Sequence, residues 1–231
     1  MQNGYSDILR RLEGFSPDRA RTAITLSFAQ SLDGSIAFEP GSRTHLSNDV
    51  SLEMTHGLRA RHDAVVVGVG TILVDNPRLT ARTATACTQP RRVILDRALR
   101  TPPSARVFEC DGGMVCIATT DDAPQSHARE LEAAGAEVWR WPRQAFEPHH
   151  LRGALHQRGI QSAMVEGGAT LLSTILDAGA FDYAVITISP KLNARREGVR
   201  YARGSRATTY DLTHCEQTLL HGDIVLDGPM A

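Results

Sequence analysis

The sequence predicts an α/β protein in which helices sandwich a largely parallel β-sheet. Three observations carry that reading. Four short apolar runs, AVVVG at 64–68, RVIL at 92–95, VCIA at 115–118 and residues 162–165, show no polar alternation, the pattern of strands covered on both faces. Helical patterns separate these runs, so successive strands need crossover connections and pair in parallel. Two further β-type runs, YAVITIS at 183–189 and residues 223–226, finish the chain, with antiparallel strands near the C-terminus.

Each element follows from local chemistry. Residues 7–14 form a short helix, which Gly14 and Pro17 separate from a first strand at 22–29, where the core starts. Val50, Leu52, Met54 and Leu58 among polar neighbours give a helix over 48–60, with Ser47 or Asn48 as N-cap. AVVVG then runs through Gly68, Val69, Gly70 and Thr71 into ILVDNPRLTAR, where Asp75, Asn76 and Pro77 signal a turn. After RVIL and VCIA come a helix at 123–134, a short strand at 137–139 and a helix at 146–158. The strand at 162–165 leads to a helix at 169–178 closed by Gly179. The Arg- and Gly-rich stretch 193–209 reads as a mobile surface loop.

A chain of 231 residues, 42% of them hydrophobic, builds one sizeable core. We read a single domain over 1–231 with residues 1–20 as an N-terminal extension. The net charge of −1 implies no nucleic-acid partner and no attraction to an anionic membrane, so any phosphate site is local. No apolar run approaches the roughly 20 residues of a membrane span, and the N-terminus lacks a charged-then-apolar secretory pattern. A cytoplasmic protein is expected. Cys87, Cys110, Cys116 and Cys215 show no CxxC spacing and no nearby histidine at ligand offsets, which predicts no metal site and no structural disulfide.

The most informative segment is MVEGGATLL at 164–172, where a buried strand meets two glycines and then a helix. Glycines let backbone N–H groups approach an anion, and the helix N-terminus adds unpaired donors. A plain tight turn is the alternative. The GVGT turn at 68–71 is a second strand-to-helix glycine turn, and the two could hold the two ends of one dinucleotide. In AQSLDGSIA, Ser31 and Asp33 sit where the first strand ends, though Asp-Gly is commonly only a hairpin turn. Asp75 could equally only cap its turn. No GxSxG elbow, HExxH pair or GxxxxGK[ST] loop is present.

Together TLSFAQSLDGSIA, MTHGLRARHDAVVVGVGTILVDNPRLTAR and VEGGATLLSTILDAG stand in the order and spacing of one family. They resemble the reductase domain of riboflavin biosynthesis over residues 22–192, and GDIVLDG extends the likeness loosely. The resemblance implies a dihydrofolate-reductase-like three-layer sandwich around a mostly parallel central sheet. It also implies NADPH-dependent reduction of the ribosyl group of a 5-amino-6-ribosylamino-pyrimidinone 5′-phosphate to ribityl. The wording is closer to the stand-alone reductases of fungi and archaea than to the bacterial bifunctional enzyme, and no HxE…PCxxC deaminase signature occurs. Ser27 stands where the bacterial form usually has Lys, and His45 where it has Trp.

Residue by residue, the resemblance places Ala29, His45, Thr71 and Asp75 on the NADPH site, with Gly168, Ala169, Thr170, Leu171, Leu172, Ser173 and Thr174 around its phosphates. Arg97 would meet the adenosine end, where a cation suits a 2′-phosphate, with Arg91 and Arg92 beside it. Arg43, Arg59, Leu79, Arg82 and Glu166 would meet the substrate, Arg59 and Arg82 as clamp for its phosphate. Asp33, Asp75 and Glu166 are the carboxylates implied in orienting substrate or moving a proton. A homodimer is expected through the C-terminal β-region, since YAVITIS would be a poor exposed edge. Two rivals stay open: a same-fold reductase of a pterin or a specialised-metabolism pyrimidine, and a non-catalytic nucleotide-binding module. NADPH consumption with the ribosylamino-pyrimidine phosphate separates all three.

Overall fold

A computed structural model of the chain describes residues 4–18, 20–109, 112–193, 198–200 and 209–231. The strands are β1 (Ala23–Ser31), β2 (Ser35–Ala37), β3 (Ala64–Gly68), β4 (Arg91–Leu95), β5 (Val115–Thr120), β6 (Ala136–Trp141), β7 (Ser162–Glu166), β8 (Tyr183–Ser189), β9 (Val199–Arg200), β10 (Glu216–Leu220) and β11 (Asp223–Pro229). The helices are α1 (Ser6–Gly14), α2 (Asp49–Arg59), α3 (Val69–Asp75), α4 (Gln125–Ala133), α5 (Pro148–Gln157) and α6 (Ala169–Asp177). Nine strands share one sheet in the order β10-β11-β8-β1-β7-β3-β4-β5-β6. From β8 to β6 every pairing is parallel; β11 pairs antiparallel with β8, and β10 antiparallel with β11.

The unbroken apolar runs have a direct cause. Successive strand residues point to opposite faces, and both faces are covered. Val66, Val93 and Cys116 pack with Leu151, Leu155, Leu172 and Ile175 of α5 and α6. Their neighbours Val65, Val67, Ile94 and Ile117 pack with Ile72 of α3 and Leu131 of α4. Each such aliphatic side chain contributes about 1.5–3 kcal/mol. Polar residues on these strands stand only at their ends, where Arg92, Thr119 and Thr120 find carbonyl acceptors.

The differences from the sequence reading have local reasons. The expected helix at 146–158 is α5 preceded by a 3-10 turn at Arg143–Phe146. Pro148 opens α5, and a proline forces the residue before it into extended backbone, as Glu147 shows with ψ 138°. Strand β10 was not expected: it is an edge strand with only Leu220 buried, so EQTLL carries no apolar alternation. Within the stretch expected as a loop at 193–209, Val199–Arg200 pairs with β2, and residues 194–197 and 201–208 lie outside the described residues. YAVITIS is not an edge at all, since β8 lies between β1 and β11.

The core also begins before residue 22. Ile8 and Leu9 of α1 are buried against Met54 and Leu58 of α2. Arg11 then ties α1 to the sheet: its Nε donates to Asp227 Oδ2 at 2.9 Å, and Tyr183 Oη donates to the same carboxylate at 2.7 Å. Asp227 is fully buried. Arg11→Ala would leave that carboxylate with its cation missing, and removing one partner of a buried pair costs about 3 kcal/mol. Urea unfolding at neutral pH checks this; an unchanged midpoint would contradict it.

Candidate active site

Strands β3 and β7 are parallel neighbours, with Val66 opposite Val165. Both run through glycine at once into helices, β3 through Gly68 into α3 and β7 through Gly167 and Gly168 into α6. The capping residues are glycines and offer no side chain to the first-turn N–H groups. The Gly168 N–H donates to Thr71 Oγ1 at 3.2 Å. The two glycine turns therefore touch. They form one cradle.

That cradle is the floor of a cleft of about 1020 Å³, a size suited to a nucleotide cofactor together with a small substrate. The strand ends supply Ser27, Ala29, Leu95 and Glu166, α2 supplies Leu52, Thr55 and Arg59, and residues 39–47 form the lip. The lip is held from behind by Lys191, whose Nζ donates to the carbonyls of His45 and Leu46 at 2.6 and 2.8 Å, and by Ser189 Oγ on the Leu46 carbonyl at 2.8 Å. Nothing in the sequence pattern pointed to residues 39–42 or to Lys191.

Of the residues expected for the cofactor, Ala29, His45, Thr71, Asp75, Arg97, Gly168, Ala169, Thr170, Leu171 and Thr174 line the cleft. Leu172 and Ser173 are not on that lining. The Leu172 side chain is fully buried in the core beneath α6, because a helix must turn one side of its first turn inward. Arg91 and Arg92 do not accompany Arg97. They start β4 and Arg97 follows its end, and at about 3.3 Å per residue the strand puts them at opposite ends. Arg92 instead donates to the carbonyls of Val107 and Gly113, and Arg91 to that of Arg158. The cation that does accompany Arg97 on the cleft is Arg100, which the sequence reading missed.

On the substrate side Arg43, Arg59 and Glu166 line the cleft, while Leu79 and Arg82 do not. Leu79 is 2% exposed and packed with Val65 and Val67. It occupies left-handed backbone at φ 57°, which makes it a loop-shaping core residue rather than an apolar contact. Arg59 reaches back from the end of α2 and holds Glu166 bidentately, Nε to Oε1 and Nη2 to Oε2, both at 2.6 Å. The two expected clamp arginines converge on one residue: Thr80 accepts from Arg59 Nη1 at its carbonyl (3.0 Å) and from Arg82 Nη1 at Oγ1 (3.1 Å). His56, unexpected here, lies 3.1 Å from the same carbonyl through Nδ1. A carbonyl only accepts, so that nitrogen carries the proton. Burial and the charges of Arg59 and Arg82 push His56 down to about 4, so the ring is neutral at neutral pH.

The three candidate carboxylates part company. Asp33 is not on the cleft lining; its carboxylate accepts from Asn193 N–H (2.9 Å), Ser31 Oγ (2.7 Å) and Ser35 Oγ (2.8 Å). Those hydrogen bonds, the Asn193 amide first, hold it well below the usual carboxylate range. It braces the β1–β2 turn and is a poor proton donor, which corrects its expected catalytic role. Glu166 is tied to Arg59. Asp75 is half-buried at the end of α3, facing the cleft, and burial raises its pKa against the opposing charges of Arg43 and His45. Its neighbour Asn76, at φ 43°, caps the helix, so Asp75 is not needed for the turn.

Among the described residues no His, Cys, Asp and Glu cluster of metal-binding kind occurs, and no helix is long and apolar enough to cross a membrane.

Comparison with known proteins places this geometry. The curated 2,5-diamino-6-ribosylamino-4(3H)-pyrimidinone 5′-phosphate reductase of Methanothermobacter thermautotrophicus is 36% identical over 179 residues, 77% of this chain and 82% of that protein. The protein of that name from Debaryomyces hansenii is 30% identical over 216 residues, 85% of each. Among solved structures, the riboflavin biosynthesis reductase Rib7 of Saccharomyces cerevisiae shares the fold with a TM-score of 0.74 at 23% identity, covering 99% of this chain and 98% of that one. RibD of Acinetobacter baumannii superposes with a TM-score of 0.75 at 24% identity over 91% of this chain and 58% of its own. With residues 22–221 matching the family's profile, the chain belongs to the RibD C-terminal domain family.

Proposed function

We propose that this protein reduces the ribosyl group of a 5-amino-6-ribosylamino-pyrimidinone 5′-phosphate to ribityl with NADPH, a reading that rests on the reductase activity after which its curated relatives are named. The observation that carries the reading is the joined glycine cradle of β3 and β7, with Glu166 at its edge and one cleft above it. The residues present fit a nicotinamide dinucleotide. Gly167 and Gly168 leave the backbone of the α6 N-terminus open to a pyrophosphate, and Arg97 and Arg100 offer cations to an adenosine phosphate. The relatives' names favour a pyrimidinone phosphate over a pterin.

When bound, the cofactor would supply a hydride to C1′ of the ring-opened imine of the substrate. The chain's own residues then have three tasks. Asp75, whose protonated form is favoured by burial, donates a proton to the nitrogen attached to C1′, so that the carbon–nitrogen double bond becomes a secondary amine. Glu166, oriented by Arg59, holds the sugar hydroxyls. Arg59 meets the 5′-phosphate, since its fork keeps N–H groups beyond those it gives to Glu166 and Thr80, while Arg82, off the cleft lining, braces Thr80 through its hydroxyl. Steady-state NADPH oxidation that depends on the ribosylamino-pyrimidine phosphate tests the assignment; binding of NADPH without substrate-dependent turnover would favour the non-catalytic reading.

NADPH should be preferred over NADH. A charge-assisted contact to the 2′-phosphate contributes about 1.5–3 kcal/mol, roughly one to two decades in affinity. Arg97→Ala should narrow that preference, and equal efficiency with both cofactors in the wild type would contradict it.

A homodimer is also expected. One edge of the sheet is β10, where Leu219 is 68% exposed, and such an edge is commonly covered by a second chain. Sedimentation at micromolar concentration checks this: a monomer mass refutes it.

A further inference from the structure

The cofactor reading above leaves unexplained why an aromatic ring stands beside Arg97. The Arg97 guanidinium lies over the Phe146 ring, 5.2 Å from its centroid, and Phe146 lines the cleft although it is only 6% exposed. The ring is itself fixed. Trp141 meets it edge-on at 5.8 Å and stacks on Trp139 at 5.6 Å.

The backbone beneath Arg97 is equally constrained. Its carbonyl accepts from Thr119 Oγ1 at 3.1 Å and Thr120 Oγ1 at 2.9 Å, both at the end of β5. The turn that continues to Arg100 is closed by the fully buried Asp96, whose Oδ2 accepts from the Thr101 N–H at 2.7 Å and its hydroxyl at 2.8 Å. A surface arginine ordinarily loses considerable rotamer freedom when it grips a ligand. Here the turn fixes its base and Phe146 one face of its fork, which leaves the edge N–H groups to meet an anion.

We propose that Phe146 is a positioning residue for cofactor specificity: it holds Arg97 flat for the 2′-phosphate of NADPH, with Arg100 as the second cation. The inference rests on the NADPH reading and extends it to a residue that touches no phosphate itself. Phe146 thereby acts only through Arg97.

The test is direct binding to the full chain by titration calorimetry, with NADPH and NADH and with the fragments 2′,5′-ADP and 5′-AMP. Phe146→Leu keeps the apolar character and removes the ring face. It should weaken NADPH and 2′,5′-ADP by about two- to fivefold, the range of an exposed cation–π contact, and leave NADH and 5′-AMP unchanged. Phe146→Tyr should bind as the wild type does. In an Arg97→Ala background Phe146→Leu should have no further effect. Equal weakening of NADPH and NADH, or additive effects in the double variant, would show a merely structural ring and overturn the proposal. Should Phe146→Leu not fold, Phe146→Met keeps a flexible apolar side chain of similar volume without a ring face. The same two- to fivefold loss supports the role and wild-type affinity overturns it. Wild-type protein that binds 2′,5′-ADP no better than 5′-AMP would instead overturn the NADPH assignment on which the role depends.

Discussion

Asp75→Asn is expected to lower kcat by about 10²- to 10⁴-fold, the usual contribution of a positioned general acid. Three carboxylates were candidates, and their surroundings separate them. Asp33 is kept ionised by three hydrogen bonds, and Glu166 is occupied with Arg59. Only Asp75 combines a place on the cleft with a pKa raised by burial. The sign of the pH dependence follows. The acid form is the competent one, so wild-type kcat is full below the pKa of Asp75 in the folded protein and falls as pH rises through it. The amide of the Asp75→Asn side chain cannot titrate, so the variant's residual rate should lack that limb. A variant with wild-type kcat and the same pH profile would remove Asp75 from the chemistry.

Arg59→Ala should act on both stability and substrate. Arg59 and Glu166 are 11% and 18% exposed, so the variant leaves a largely desolvated carboxylate without its partner, at a cost of about 3 kcal/mol. Substrate KM should rise and kcat fall together, because Glu166 would lose its orientation and the phosphate one of its forks. Arg59→Met combined with Glu166→Leu should recover much of the stability and none of the activity, since it removes both charges at once. Arg82→Ala leaves the ion pair intact and, with Arg82 off the cleft lining, should raise substrate KM much less than Arg59→Ala does. Thermal unfolding and steady-state kinetics on these variants distinguish the outcomes. If Arg59→Ala unfolds like the wild type, or loses NADPH affinity in place of substrate affinity, the assignment is wrong.

What the sequence revealed and what it hid divide along physical lines. The strands β3, β4, β5 and β7 were legible because a strand covered on both faces must be apolar at every position, a pattern few loops imitate. The helix at α2 was legible from its N-cap, and Asn48 does accept from the Ser51 N–H at 3.0 Å. Strand β10 was illegible because an edge strand buries almost nothing. The glycine turns were legible as strand-to-helix turns, but not that they touch each other, which depends on the pairing of β3 with β7, elements far apart in sequence. Arg91 and Arg92 misled because adjacency in sequence along a strand is separation in space. Arg100 had a weak signal, its place just across a turn from Arg97, whereas Phe146 had none: its position on the cleft comes from the 3-10 turn ahead of α5. Asp33 resembled a catalytic residue by position, and only the hydroxyls and the amide around it show that it braces a turn.

The central claim is hydride transfer from NADPH to C1′ of the ribosylamino-pyrimidine phosphate. The most direct measurement uses NADPH carrying deuterium at C4 of the nicotinamide, on the face that is transferred, with mass spectrometry of the pyrimidine product. The expected product is a ribityl pyrimidine with one deuterium, located at C1′, with one NADPH oxidised per product formed. NADPH oxidation without a ribityl product, or a ribityl product whose C1′ carries no deuterium from either labelled face, would contradict it.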